Sequence, residues 1–174
     1  GAGCIILATG EFAKVHGLPS GMEMAGWAMT SDASHFVSPN LATVRKCIEE
    51  TIANAGLKPE DIDAVNAHAT STKIGDKVEA DALKNIFGGH VPPVSANKSQ
   101  MGHAMGASSA IEAILAMEGM KKEIVLPTIN YRPDQDIAID CVAEGARNLK
   151  QEFVLKNAFG FGGCNSCIIL HRTE

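Results

Sequence analysis

An α/β fold, a layered mixed sheet flanked by helices, is the architecture this sequence predicts. Two observations carry it. Short apolar runs alternate with helix-period stretches through the middle of the chain, and strand-like runs gather at its end. Composition agrees, since 45% of the 174 residues are hydrophobic and 20% are charged, a globular balance that excludes disorder as the main state. No stretch approaches the roughly 20 apolar residues that span a bilayer; the runs at 5–8 and 167–170 are strand-length.

Taken in order, a strand is expected at 4–8, then a short helix near 11–16 stopped by Gly17. An extended segment follows at 22–29. Ser38-Pro39 has the form of an N-cap with proline at N1, opening a helix that stops at Gly56. Leu41, Val44, Ile48, Ile52 and Ala55 recur at spacings of three and four, so that helix buries one face. After a turn at Lys58-Pro59-Glu60 comes a buried strand at 62–67. A helix is predicted over 76–87, its acidic first turn (Asp76, Glu79) suited to the helix dipole. Another strand is expected at 91–96. The stretch 104–120, rich in Ala, Met, Ile and Leu, reads as a helix buried on most sides. Strands at 124–129, 137–142 and 164–170 complete the pattern.

Three polar clusters fall at the predicted strand ends, where open α/β sheets place ligand-contacting groups. The first is Asn66-Ala67-His68-Ala69-Thr70-Ser71-Thr72. The second, Asn97-Lys98-Ser99-Gln100-Met101-Gly102-His103-Ala104-Met105-Gly106, delivers another histidine together with a lysine. The third, Asn157-Ala158-Phe159-Gly160-Phe161-Gly162-Gly163-Cys164-Asn165, has glycines dense enough to turn backbone N–H groups toward a ligand. A histidine at a strand end is often only hydrogen-bonded structure, but two in equivalent contexts argue for a site. The glycine-rich turn fits a tight hairpin as well as an oxyanion hole. Glu112, inside the apolar helix, needs a partner if buried, and Lys98 is the candidate. Cys164-x-x-Cys167 could form a redox pair or half a zinc site, but it lies within a predicted strand and has no second pair, so no metal is expected.

Charge narrows the partners. With 15 Lys+Arg against 20 Asp+Glu the net charge is −5, and aromatics are 5%, so neither nucleic acid nor a membrane is an expected partner. Five cysteines, an odd number, argue against a disulfide framework and for a reducing, cytoplasmic compartment, or an organelle if a targeting segment lies upstream.

Together the three clusters resemble, in order, the histidine, lysine–histidine and Phe-Gly-Phe-Gly-Gly motifs of β-ketoacyl-[acyl-carrier-protein] synthases. Ser31-Asp32-Ala33-Ser34-His35 and Leu126-Pro127-Thr128-Ile129-Asn130 also fit, and the resemblance is collinear over the whole chain. It implies a thiolase-like fold and the decarboxylative Claisen condensation of an acyl-enzyme with malonyl-carrier protein in fatty-acid elongation. By the same resemblance, His68 and His103 stabilise the enolate through Nε2–H, and Lys98, paired with Glu112, orients His103. Phe161 would offer a backbone N–H to the acyl-enzyme's oxyanion, Phe159 would line or gate the acyl channel, and Thr70 and Thr72 would bind the phosphopantetheine arm. No dissociable cofactor is implied, since the substrates ride on the phosphopantetheine of acyl carrier protein.

The family's nucleophilic cysteine belongs to an N-terminal half, and no residue here matches its motif. The chain also opens without a Met, on Gly1-Ala2-Gly3 directly before a strand-like run. Residues 1–174 are thus expected to be the C-terminal domain, with about 1–20 the tail of the other half. The chain alone is expected to be inactive, and its partners to be that half, acyl carrier protein and a second copy in a homodimer. Cys164 stands where the family has Thr, and Ala69 where Gly is usual. Alternatives are a polyketide-type ketosynthase, a non-elongating chain-length-factor-like partner, a coenzyme A-dependent thiolase relative, a zinc hydrolase and a purely structural module. Retention of His68, Lys98 and His103 argues against the chain-length factor.

Overall fold

The computed structural model describes residues 1–173. In chain order it has α1 (Gly10–Val15), β1 (Met22–Ser31), α2 (Leu41–Asn54), β2 (Ala64–Asn66), α3 (Lys73–Phe87), β3 (Val94–Ser95) and α4 (Lys98–Met101). Then come α5 (Ser108–Lys121), β4 (Ile124–Val125), β5 (Arg147–Asn148), β6 (Phe153–Gly160) and β7 (Cys164–Arg172). Five strands form one mixed sheet in the order β1-β7-β6-β2-β3. The pairs β1/β7 and β6/β7 are antiparallel, whereas β2 runs parallel to both β6 and β3. The α/β expectation holds.

Strand alternation sends neighbouring residues to opposite faces, and both faces of this sheet are covered. Leu155 and Ile169 join Val44, Ile48 and Ile52 of α2 and Leu83 of α3 in one core. Val154 and Leu170 pack instead with Met120 of α5, Val125 and Val142. Burying each such Ile or Leu contributes about 1.5–3 kcal/mol. Gly26 lets α2 lie tight on β1, because a Cβ there would sit 2.6 Å from the Thr51 carbonyl oxygen.

Several boundaries differ from expectation. Residues 4–8 form no strand: all five are exposed, and it is the preceding Gly3 that approaches α5, where a Cβ on it would come 2.9 Å from Ala110 Cβ. An apolar run without a ladder partner is not a strand. Helix α2 is capped by Asn40, whose side chain accepts from the Ala42 N–H at 2.9 Å, so Ser38-Pro39 lies in the preceding loop. Helix α3 starts at Lys73, three residues before the expected Asp76, because the Thr72 hydroxyl accepts from the Gly75 N–H at 3.2 Å.

The 104–120 helix begins only at Ser108, after a 3₁₀ turn over Met105–Ala107. Glu112, Ala113 and Met120 are buried, but Ile111, Ile114 and Leu115 are half-covered because the sheet packs on only one side of this helix. The expected 137–142 strand is reduced to a single bridge between Cys141 and Val94. Strand β6 was not expected; Lys156 and Asn157 interrupt its apolar pattern.

Candidate active site

The parallel strands β2 and β3 end on one side of the molecule; the loop after β2 carries His68, and His103 follows the short helix α4 that succeeds β3. His68 leaves β2 in a loop whose backbone is clamped by α3. The Glu79 carboxylate accepts the N–H groups of His68 and Ala69, each at 2.9 Å, and Asp76 accepts that of Ser71 at 3.1 Å. These bonds hold Ala69 and Ser71 at φ +31° and +65°, a region where glycine is at ease and other residues are strained. Glu79 is itself fixed by the Asn157 side chain, which donates to it at 3.0 Å.

Lys98, the first residue of α4, donates to the His68 carbonyl and to Glu112 Oε1, both at 2.5 Å. Lysine and carboxylate are buried, with Glu112 at 0% exposure, so the expected pairing is present. Its contact is with His68 rather than with His103, which the sequence had it orienting. His103 is held from α5 instead: its Nδ1 lies 2.8 Å from Ser108 Oγ and accepts the Met105 N–H at 3.3 Å. A backbone N–H only donates, so this contact puts the ring proton on Nε2.

The two imidazoles meet edge to face, ring centroids 5.8 Å apart, and Phe159 stands edge-on to His68 at 5.5 Å. Burial, then the positive charges of Lys98 and Lys156, then His103, push His68 down to about 3, so its ring is neutral near pH 7. Both histidines, with Thr70, Thr72, Phe159 and Phe161, line a cleft of about 610 Å³. The hydroxyls of Thr70 and Thr72 are 3.4 Å apart. Lys98 and Glu112 lie behind its wall. Imidazole N–H groups placed this way can donate to a carbonyl on which negative charge develops.

Phe161 sits at the tip of the hairpin joining β6 and β7. It stacks on Phe36 at 5.4 Å, and the Gly162 N–H donates to the Phe36 carbonyl at 2.8 Å. Gly163 has φ +77°, and a Cβ on it would lie 2.5 Å from Asp32 Cβ. The buried Asp32 carboxylate accepts from Asn165 Nδ2 at 2.6 Å, the Asn40 N–H at 2.9 Å and the Thr43 hydroxyl. The glycine-rich segment is therefore a hairpin braced against the loop after β1.

Cys164 is exposed and Cys167 is buried on the other face of β7, so the two do not form half a metal site. Among the described residues no three His, Cys, Asp or Glu side chains gather as a metal site, and no helix is long and apolar enough to cross a membrane. Sequence reasoning missed three parts of the site: Glu79 as a backbone clamp, Asn157 as its support, and Lys156, whose Nζ lies 2.8 Å from Glu112 Oε2. A lysine directly after the apolar run Phe153-Val154-Leu155 was the available signal for the last.

The mixed sheet, its covering helices and the histidines at its parallel-strand ends define a thiolase-like fold. Residues 22–132 match the family described as beta-ketoacyl synthase, C-terminal domain. This chain belongs to that family. It is 36% identical to 3-oxoacyl-[acyl-carrier-protein] synthase 2 of Coxiella burnetii, over 99% of this chain and 43% of the relative. It is 39% identical to the protein of the same name from Mycobacterium tuberculosis, over 99% and 42%. Among solved structures, a beta-ketoacyl synthase from Burkholderia phymatum matches with a TM-score of 0.90 and 36% identity, over 94% of this chain and 40% of that one. The ishigamide ketosynthase/chain length factor matches at 0.91 and 34%, over 94% and 41%. The chain thus spans about two-fifths of the length of these relatives.

Proposed function

We propose that this chain supplies the decarboxylating portion of a 3-oxoacyl-[acyl-carrier-protein] synthase. One observation supports this above all: two histidines, one held neutral and the other carrying its proton on Nε2, face each other on one wall of a cleft lined by phenylalanines. In this reading His68 and His103 donate hydrogen bonds to the thioester carbonyl of malonyl-carrier. The bond to the carboxylate carbon breaks, carbon dioxide leaves, and the electron pair passes into an enolate whose oxygen the imidazoles stabilise. The enolate carbon then attacks an acyl thioester on a cysteine outside this chain, forming the new carbon–carbon bond and releasing the thiolate.

Phe161 contributes its backbone N–H to the tetrahedral oxyanion of that acyl-enzyme, and Phe159 lines the acyl channel. Thr70 and Thr72 hold the phosphopantetheine arm of the carrier protein. Lys98 and Glu112 act from behind the wall by fixing the His68 backbone. The full reaction requires the other half of the enzyme and its carrier protein, in a homodimer. The test is to incubate the complete protein with acyl- and malonyl-carrier protein and look for 3-oxoacyl-carrier by mass spectrometry. Product from the wild type but not from His103→Ala supports the reading; equal product from both overturns it.

A further inference from the structure

Resting on that reading, we infer that Lys156 is a positioning residue for decarboxylation: it joins the two arms that hold the His68 backbone. One arm grips the His68 carbonyl, through Lys98 Nζ at 2.5 Å, and Lys98 is oriented by Glu112 Oε1. The other grips the His68 N–H, through Glu79 at 2.9 Å, and Glu79 is oriented by the Asn157 side chain. These arms lie on opposite faces of the sheet, α5 carrying Glu112 and α3 carrying Glu79. Lys156 pairs with the first arm and bonds the backbone of the residue that supports the second. Its Nζ lies 2.8 Å from Glu112 Oε2 and donates to the backbone carbonyl of Asn157 at 2.5 Å.

The placement follows from strand alternation in β6, which turns Lys156 toward α5 and Asn157 toward α3. Lys156 is 2% exposed, and Val154 and Leu170 show that this face otherwise takes apolar side chains. A buried ammonium is costly unless paired, and an apolar residue of similar volume satisfies packing alone. The charged groups around it are Glu112 from α5, Lys98 from α4 and Glu79 from α3, and the titratable His68 stands nearby on the β2–α3 loop. With Lys156 counted, the cluster holds two buried ammonium groups and two buried carboxylates. Without it, Glu112 keeps one oxygen unopposed and the carboxylate that orients Lys98 is free to turn.

The test uses the complete protein that carries this chain and follows carbon dioxide released from malonyl-carrier protein. Lys156→Met is expected to lower kcat by about 10- to 100-fold, as misplacement of a catalytic group does, and to leave KM within about threefold. Because Lys156 acts through Glu112, the same change made on Glu112→Gln is expected to cost less than about threefold more. An unchanged kcat for Lys156→Met overturns the inference, and so does an undiminished loss in the Glu112→Gln background. Should Lys156→Met fail to fold, the double variant, which removes one buried charge of each sign, decides the matter against Glu112→Gln alone: equal rates support the inference, and a larger loss overturns it. An inactive His103→Ala beside a fully active Lys156→Met overturns only the role of the lysine. A fully active His103→Ala overturns the functional reading, and the role of the lysine with it.

Discussion

The imidazole of His68 meets that of His103 edge to face at 5.8 Å, although the two rings hang from different loops and are anchored by different means. His68 is fixed through its backbone, by Glu79 on the N–H and Lys98 on the carbonyl. His103 is fixed through its ring, by the Met105 N–H and Ser108. One residue is thus positioned by buried ions and the other by a hydrogen-bonded turn, so the two respond differently to mutation.

The acid response follows from His68. Its folded value, about 3, lies below the ordinary 6.5 because burial and neighbouring cations disfavour its charged form. Between those values the unfolded chain binds a proton that the folded chain does not, so this histidine's contribution is intact above about pH 6.5 and is lost as pH falls toward 3. Urea denaturation across that window is expected to show a shallower acid loss for His68→Gln than for wild type. Identical slopes contradict the assigned burial.

Removing the shared carboxylate is expected to be severe. Glu112→Ala leaves Lys98 and Lys156 buried without their anion, and breaking such a cluster costs about 3–5 kcal/mol. Surface pairs provide the contrast. Arg45 and Glu49 pair at 3.3 Å with side chains about half exposed, so Glu49→Ala is expected to cost about 0–1 kcal/mol. Chemical-denaturation midpoints of the two variants check the difference.

Close approach at Gly26 gives a test of the fold. Gly26→Ala drives a methyl against the Thr51 carbonyl and is expected to destabilise by about 1–3 kcal/mol. Gly10→Ala, with open space around the new Cβ, is the control and is expected to be near neutral. Thermal unfolding of both variants decides it.

Gly163→Ala separates the two halves of the proposed chemistry. Its Cβ collides with Asp32 and its φ of +77° disfavours alanine, so the hairpin tip bearing Phe161 must shift. Losing an oxyanion donor costs roughly 10²–10³ in rate, so acylation is expected to fall by that order while malonyl decarboxylation falls far less. Equal losses in both half-reactions would remove Phe161 from the acylation step.

The sequence made the helical face of α2, the strand that ends before His68 and the Lys98–Glu112 pair legible, because each follows from local periodicity or from the need to partner a buried charge. Strand β6 was hidden by Lys156 and Asn157, whose side chains are met by Glu112 and Glu79, far away in sequence. Residues 4–8 misled for the opposite reason: their apolar run has strand character but is exposed and pairs with no strand of the sheet. The loop cap at Asn40 depends on Asp32 accepting its N–H, a contact that spacing alone does not reveal.

The most direct measurement is carbon dioxide release from malonyl-carrier protein by the complete protein with the cysteine proposed as its nucleophile alkylated, comparing wild type, His68→Ala and His103→Ala. Removing either donor is expected to slow release by roughly 10²–10³ with little change in KM. Release that persists at the wild-type rate in both variants would contradict the claim that this histidine pair stabilises the enolate.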